Sequence, residues 1–154
     1  MSTPQSVFVM LKPVAFERNL VEHILAMLAG EGFTIRHQKI VDYPPKELIA
    51  IQYPEEEFIR TNRLFSRQRI IDYCAGGLVM VMVLVGENAI SKMKDIKGCP
   101  DPKRAKPGTI RSLLDDTIEE ADAEKRALRD LIHSSDNETE TKHQIEAWFG
   151  VTTT

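Results

Sequence analysis

Apolar and polar positions follow two different periods along the chain, and each change of period marks an element. "SVFVML" (6–11) is a nearly continuous apolar run of β-formers, which predicts a buried strand stopping at Lys12-Pro13. Phe16, Leu20, Ile24 and Leu28 then recur every four residues, the mark of one amphipathic helix that Gly30 and Gly32 end. "FTIRHQKIV" (33–41) interleaves polar residues, so it reads as a strand with a wet face or near an edge. Pro44-Pro45 opens a short helix to about Tyr53, Pro54 starts another through "EEEFIR", and a third around "RQRIIDYCA" closes at Gly76-Gly77. "LVMVMVLV" (78–85) is the central strand, "ENAISKMKDI" a helix, and Gly98 to Gly108 a long loop. Residues 112–129 are charged and part helical, and "LIHS" is a short strand. Ser135 with Glu138 forms a capping box for a last helix that buries Ile145, Trp148 and Phe149.

Four strands split by helices on one face predict an α+β fold: a ferredoxin-like βαββαβ antiparallel four-stranded sheet covered by helices. A chain of 154 residues suits one domain, 1–154, with a single proper core. Such a fold hosts many activities and names none. A formal charge of −3 argues against a general nucleic-acid binder, whereas an anionic ligand needs only a local cluster of Lys and Arg. Cys74 and Cys99 lack metal-ligand spacing and read as idle thiols of a reducing cytosol. No signal peptide or membrane span is expected, since Lys12-Pro13 interrupts the first apolar run and the run at 78–85 is too short. The expected location is cytoplasmic.

Chemistry gathers at three places. Lys12 sits at the carboxyl end of the opening strand, where sheets often place ligand groups, although a strand-terminating surface lysine looks the same. In "DPKRAKPGTIR" (101–111), Lys103, Arg104, Lys106 and Arg111 crowd a Pro-Gly-Thr loop. Glycine admits close backbone approach to phosphate, Thr109 offers a hydroxyl, and Arg111 can grip oxygens bidentately. The loop lacks Walker-type spacing and is not a P-loop. His133 ends an apolar strand and offers a neutral, nucleophilic imidazole near pH 7. His23, His37 and His143 lie on helices or among polar strand residues and read as structural.

Taken together, "FVMLKP" (8–13), "LVMVMVLVGENAI" (78–90), "DPKRAKPGTIR", "DLIHSSD" (130–136) and "IEAWF" (145–149) resemble the nucleoside diphosphate kinase family in colinear order. The resemblance implies a ping-pong exchange of the γ-phosphate between a nucleoside triphosphate and a nucleoside diphosphate, with magnesium carried on the phosphates and a homo-oligomer, hexamer or dimer. By position, His133 would be the phosphorylated nucleophile. Lys12 would contact the sugar hydroxyl and phosphates, Tyr53 would sit near the phosphohistidine, and Arg111 would hold phosphate oxygens. Ser135 would support the histidine's network. Phe65 and Arg63 would be the base-stacking phenylalanine and a nearby phosphate arginine.

The departures from the family pattern are specific. Its signature asparagine is Asp130, its phosphate arginine falls on Lys94, its phosphate threonine on Pro100, and its histidine-orienting glutamate on Gln144. The glycine after the histidine is Ser134, and segments are inserted between Tyr53 and Gly77 and between Arg111 and His133. These changes keep open an alternative, a nucleotide-binding regulatory module with weak or no phosphotransfer. An RNA-binding sheet is disfavoured, because the central strand shows no aromatics for stacking.

Overall fold

The two most apolar runs lie side by side at the centre of one sheet. The computed structural model describes residues 4–151. Its strands are β1 (Pro4–Leu11), β2 (Thr34–Asp42), β3 (Leu78–Glu87) and β4 (Ile132–Ser134), in the order β2-β3-β1-β4. Every neighbouring pair is antiparallel. β1 runs against β3 from Pro4 opposite Glu87 to Leu11 opposite Met80. This is the expected ferredoxin-like arrangement.

The helices cover both faces, not one. Successive strand residues point to opposite sides. Val7, Val9 and Leu11 with Met80, Met82 and Leu84 therefore pack beneath α1 (Pro13–Glu17), α2 (Val21–Gly30) and α6 (Ala89–Lys97). Phe8 and Met10 with Val79, Val81 and Val83 pack on the other side. There they meet Ile49 of α3 (Lys46–Ile51), Ile71 of α5 (Leu64–Ala75) and Trp148 of α8 (Glu138–Phe149). Burial on two faces is why β1 and β3 are apolar without alternation. β2, at the outer edge, keeps most of its residues exposed.

The helix expected across Phe16–Leu28 is two. α1 stops at Glu17, Asn19 takes a positive φ of 56°, and Leu20 N donates to Ala15 O at 2.8 Å before α2 begins. Asparagine tolerates that backbone region, and Phe16 and Leu20 still reach the same core, so the spacing survives the break. The last helix is capped two residues later than expected. Asn137 Oδ1 accepts from Glu140 N at 2.8 Å, and Glu140 Oε2 accepts from Asp136 N at 3.2 Å. Ser135 is occupied elsewhere: its N–H donates to Phe8 O and its hydroxyl accepts from Phe8 N, each at 3.0 Å.

Between β2 and β3 the prolines set two short helices, α3 and α4 (Glu55–Arg60), ahead of α5. The charged 112–129 segment holds one helix, α7 (Ile118–Ala123), whose Thr117 hydroxyl accepts from Glu120 N at 3.0 Å. Asp116 anchors it, accepting from Arg126 at 2.7 and 2.8 Å and from Arg129 N at 2.9 Å. The Arg126 guanidinium holds that carboxyl down at about 2.

Candidate active site

His133 lies in the middle of β4, opposite Met10 of β1, so its ring falls on the Phe8–Met10 face. It sits 5.3 Å from the Tyr53 ring and 6.2 Å from Phe8. Its Nε2 is 3.0 Å from Oε1 of Gln144, a nearly fully buried residue of α8. An amide oxygen only accepts, so Nε2 bears the proton and Nδ1 keeps the free lone pair. Burial drives the imidazole pKa well below its usual value. The Gln144 bond opposes this, and the cations Lys97, Lys12 and Arg111 reinforce it. The ring is therefore held neutral.

Ser135 braces this unit without touching the ring. Besides its two bonds to Phe8, its Oγ lies 2.6 Å from Thr141 Oγ1, tying the end of β4 to the first turns of α8.

Beside the histidine is a buried ion trio. Lys12 Nζ lies 3.0 Å from Asp130 Oδ2, and Arg111 donates to both Asp130 oxygens at 2.9 and 3.2 Å. Arg111 also donates to the carbonyls of Gly98 (2.9 Å) and Ile132 (3.2 Å). Burial by itself works against each charge. For Asp130 the two cations outweigh it and hold the carboxyl far below the carboxylate range. For Lys12 the Asp130 carboxylate outweighs it and holds the amine above the lysine range. The charge at Asp130 is thus balanced within the chain. Lys12 also approaches the Tyr53 ring at 5.5 Å from its centre. The Tyr53 hydroxyl, its own pKa raised by burial, has no hydrogen-bond partner among the described residues.

These groups open on a cavity of about 740 Å³ walled by His133, Arg111, Tyr53, Lys94, Lys97 and Pro100. A side cleft of about 170 Å³ continues to Lys12, Asp130, Tyr73 and Leu128. Lys94 reaches the cavity while donating to Asp136 O at 3.1 Å. Pro100 lines both spaces and brings no hydroxyl.

Other expected residues are not brought here. Arg63 is turned to α7, where it pairs bidentately with Asp122 at 3.0 and 3.1 Å. Phe65 is half exposed between Arg63 and Arg69, each about 5 Å from its ring. The inserted helix captured the arginine, and the aromatic at the cavity is Phe58, packed edge-on to Tyr53 at 6.3 Å. Of the basic loop only Arg111 turns inward. Arg104 pairs with Asp101 and Glu119, and the Thr109 hydroxyl donates to Lys106 O at 2.6 Å. Lys97 was missed by sequence reasoning, although its signal was present: Ile90, Met93 and Lys97 share one face of α6, and all three are buried.

Among the described residues no three His, Cys, Asp or Glu side chains converge on a metal position. The carboxylates of Glu56, Glu57, Asp136 and Glu140 are instead spread along the cavity. This donor set fits a divalent ion arriving on phosphate oxygens better than one held by the chain.

Fold and site together define a ferredoxin-like protein with a neutral histidine facing a cation-lined cavity. A family model described as nucleoside diphosphate kinase matches residues 5–153. A nucleoside diphosphate kinase of Campylobacter hominis is 32% identical over 145 residues, covering 94% of this chain and 95% of that protein. One of Rickettsia rickettsii is 33% identical over 147 residues, covering 96% and 94%. Among solved structures, an NDP kinase from Pyrobaculum aerophilum superposes with a TM-score of 0.85 at 25% identity, covering 96% of both chains. A nucleoside-diphosphate kinase of Borrelia burgdorferi, a transition-state mimic with vanadate and ADP, reaches 0.88 at 21% identity and supports the fold alone. It covers 95% of this chain and 87% of that one. The chain belongs to the nucleoside diphosphate kinase family.

Proposed function

We propose that this chain is a single-domain nucleoside diphosphate kinase working by ping-pong exchange through His133. The observation that carries this reading is the neutral His133 ring, fixed through Nε2 by Gln144 beside Lys12, Arg111 and Tyr53. The Nδ1 lone pair attacks the γ-phosphorus of a nucleoside triphosphate. The bond to the β–γ bridging oxygen breaks, and the diphosphate leaves. A terminal oxygen of a second nucleoside diphosphate then attacks the phosphorus. The N–P bond breaks, and its electron pair returns to Nδ1. Arg111 and Lys12 face the phosphate oxygens where charge gathers, and the Tyr53 hydroxyl supplies a further donor. Lys94 serves the outer phosphates, and Phe58 takes the stacking place that Phe65 does not reach. Magnesium would be held by the nucleotide's own phosphates rather than by the chain, and would there neutralise part of their charge.

A homo-oligomer, dimer or hexamer, is part of the proposal, supported by the unpaired outer edge of β2. Cytoplasmic residence is consistent with Cys74 and Cys99 being unpaired thiols, and no helix among the described residues is long and apolar enough to cross a membrane.

One observation favours a second reading. Asp130 occupies both Lys12 and Arg111, the cations that phosphate needs, as in a module that binds nucleotide and transfers poorly. Incubation with γ-labelled ATP and magnesium separates the two. The kinase gives an acid-labile, alkali-stable label that is lost in His133→Asn and discharged by GDP or CDP. The module gives no label while nucleotide still protects it from heat. Asp130→Asn with Lys94→Arg strengthens nucleotide binding in either case and raises turnover only in an enzyme.

A further inference from the structure

Among the described residues, every cation around the cavity but one is already engaged. Lys12 and Arg111 are held by Asp130, and Arg111 spends further donors on the Gly98 and Ile132 carbonyls. Lys94 is tied to the Asp136 carbonyl. Lys97, the last residue of α6, makes no hydrogen bond or ion pair among the described residues, yet it is 92% buried and lines the cavity. Its Nζ is not fully enclosed, so the ammonium meets the cavity while the stem lies in the wall. Its charge joins those of Lys12 and Arg111 in holding the His133 ring neutral.

The wall around it offers phosphate few free donors. Pro100 offers no hydroxyl, and Lys94 offers a point charge already partnered. An unpartnered ammonium on a buried stem, one turn further along the same wall, fills that gap. We propose that Lys97 is a phosphate ligand of this chain's own, gripping oxygens of the phosphoryl group as it passes to and from His133. The proposal rests on the kinase reading above and assigns a residue to it.

Lys97 also gives the site a titration of its own. Burial first, and Arg111 second, bring its pKa down to about 8. Asp136 before α8 and Asp130 before β4 oppose that drop, and Lys12 at the end of β1 adds to it. Lys94 on the same helix, Tyr53 after α3, Glu56 and Glu57 of α4, Glu140 of α8 and the neutral His133 also line the cavity. The free site therefore loses a positive charge as pH rises through about 8, and phosphate capture falls with it.

Single-turnover phosphorylation by ATP, followed from pH 6 to 9.5 in wild type, Lys97→Met and Lys97→Arg, tests this. Lys97→Met should lose on the order of 100-fold in kcat/KM at pH 7 with its melting temperature kept. Lys97→Arg should recover most of that loss. The alkaline limb near 8 should be present in wild type and absent from both variants. Pyrophosphate supplies a readout free of turnover: it should raise the melting temperature of wild type and Lys97→Arg and leave Lys97→Met unmoved. Should the methionine protein not fold, Lys97→Gln carries the same comparison. An active wild type with an equally active Lys97→Met, an unchanged limb and equal pyrophosphate protection would overturn the assignment and leave the kinase reading standing. An unlabelled wild type would instead remove the kinase reading, and the pyrophosphate series would then decide whether Lys97 is an anion ligand.

Discussion

As the proposed nucleophile, His133 needs a ring that stays neutral and fixed, and a single amide, Gln144, does the fixing. A glutamate there would add a negative charge beside Nε2 and favour the protonated ring. Gln144→Glu is expected to move the imidazole titration up by roughly 1–3 pH units in an NMR pH series. An unmoved titration would mean that the amide does not hold the ring. The residues of this site divide by how visible they were. Lys12, Tyr53, Arg111, Asp130 and His133 each end an apolar run or sit in a fixed loop, so order along the chain locates them. Arg63 and Phe65 lie in a stretch of changed length, and the partner that draws Arg63 away, Asp122, belongs to an insertion far along the chain. Nothing local announces such a pairing. Lys97 was hidden for the opposite reason, a charge at the end of an apolar helical stripe reading as an ordinary helix terminus.

At the scale of elements, side-chain period located the long strands and the first amphipathic stretch, because burial is what the period records, while prolines marked α3 and α4. It could not see the backbone. The break at Asn19 and the cap at Asn137 depend on φ and on which hydroxyl is already spoken for. The turn after α6 is the case that matters to the chemistry. Gly98 has φ +86°, and a Cβ there would stand 2.7 Å from Thr109 Oγ1 and 2.8 Å from Thr109 Cβ. Its carbonyl is also one of the acceptors that hold Arg111. Gly98→Ala is expected to cost about 1–3 kcal/mol of stability in chemical denaturation and to lower kcat/KM through a displaced Arg111. Gly108→Ala has a similar φ of +91° but open space around the added carbon. It should cost less stability and leave kcat/KM near wild type. Equal effects would argue that the Thr109 contact is not what fixes the turn.

At the scale of the molecule, the sheet has two edges, the short β4 and the nine-residue β2. Among the described residues no strand lies beyond β2, and Ile35, Ile40 and Tyr43 remain exposed along it or at its end. A second copy pairing there would cover both the unpaired backbone and the apolar side chains. Ile40→Lys is expected to lower the sedimentation coefficient towards that of a monomer while the circular dichroism spectrum stays unchanged. An unaltered sedimentation coefficient would mean that β2 carries no such contact. The charged insertion was legible only as partly helical, since its anchors, Asp116 and Arg126, act through geometry that composition does not express. Its two feet, however, are Arg111 and Asp130, and these bind each other directly at 2.9 Å. The whole stretch between them is a hoop clasped shut at the site. Once a hoop is clasped, its circumference matters little, because the entropy of closing it grows only with the logarithm of its length. The segment is therefore free to lengthen, shorten or change its outer surface while the histidine's surroundings stay in place.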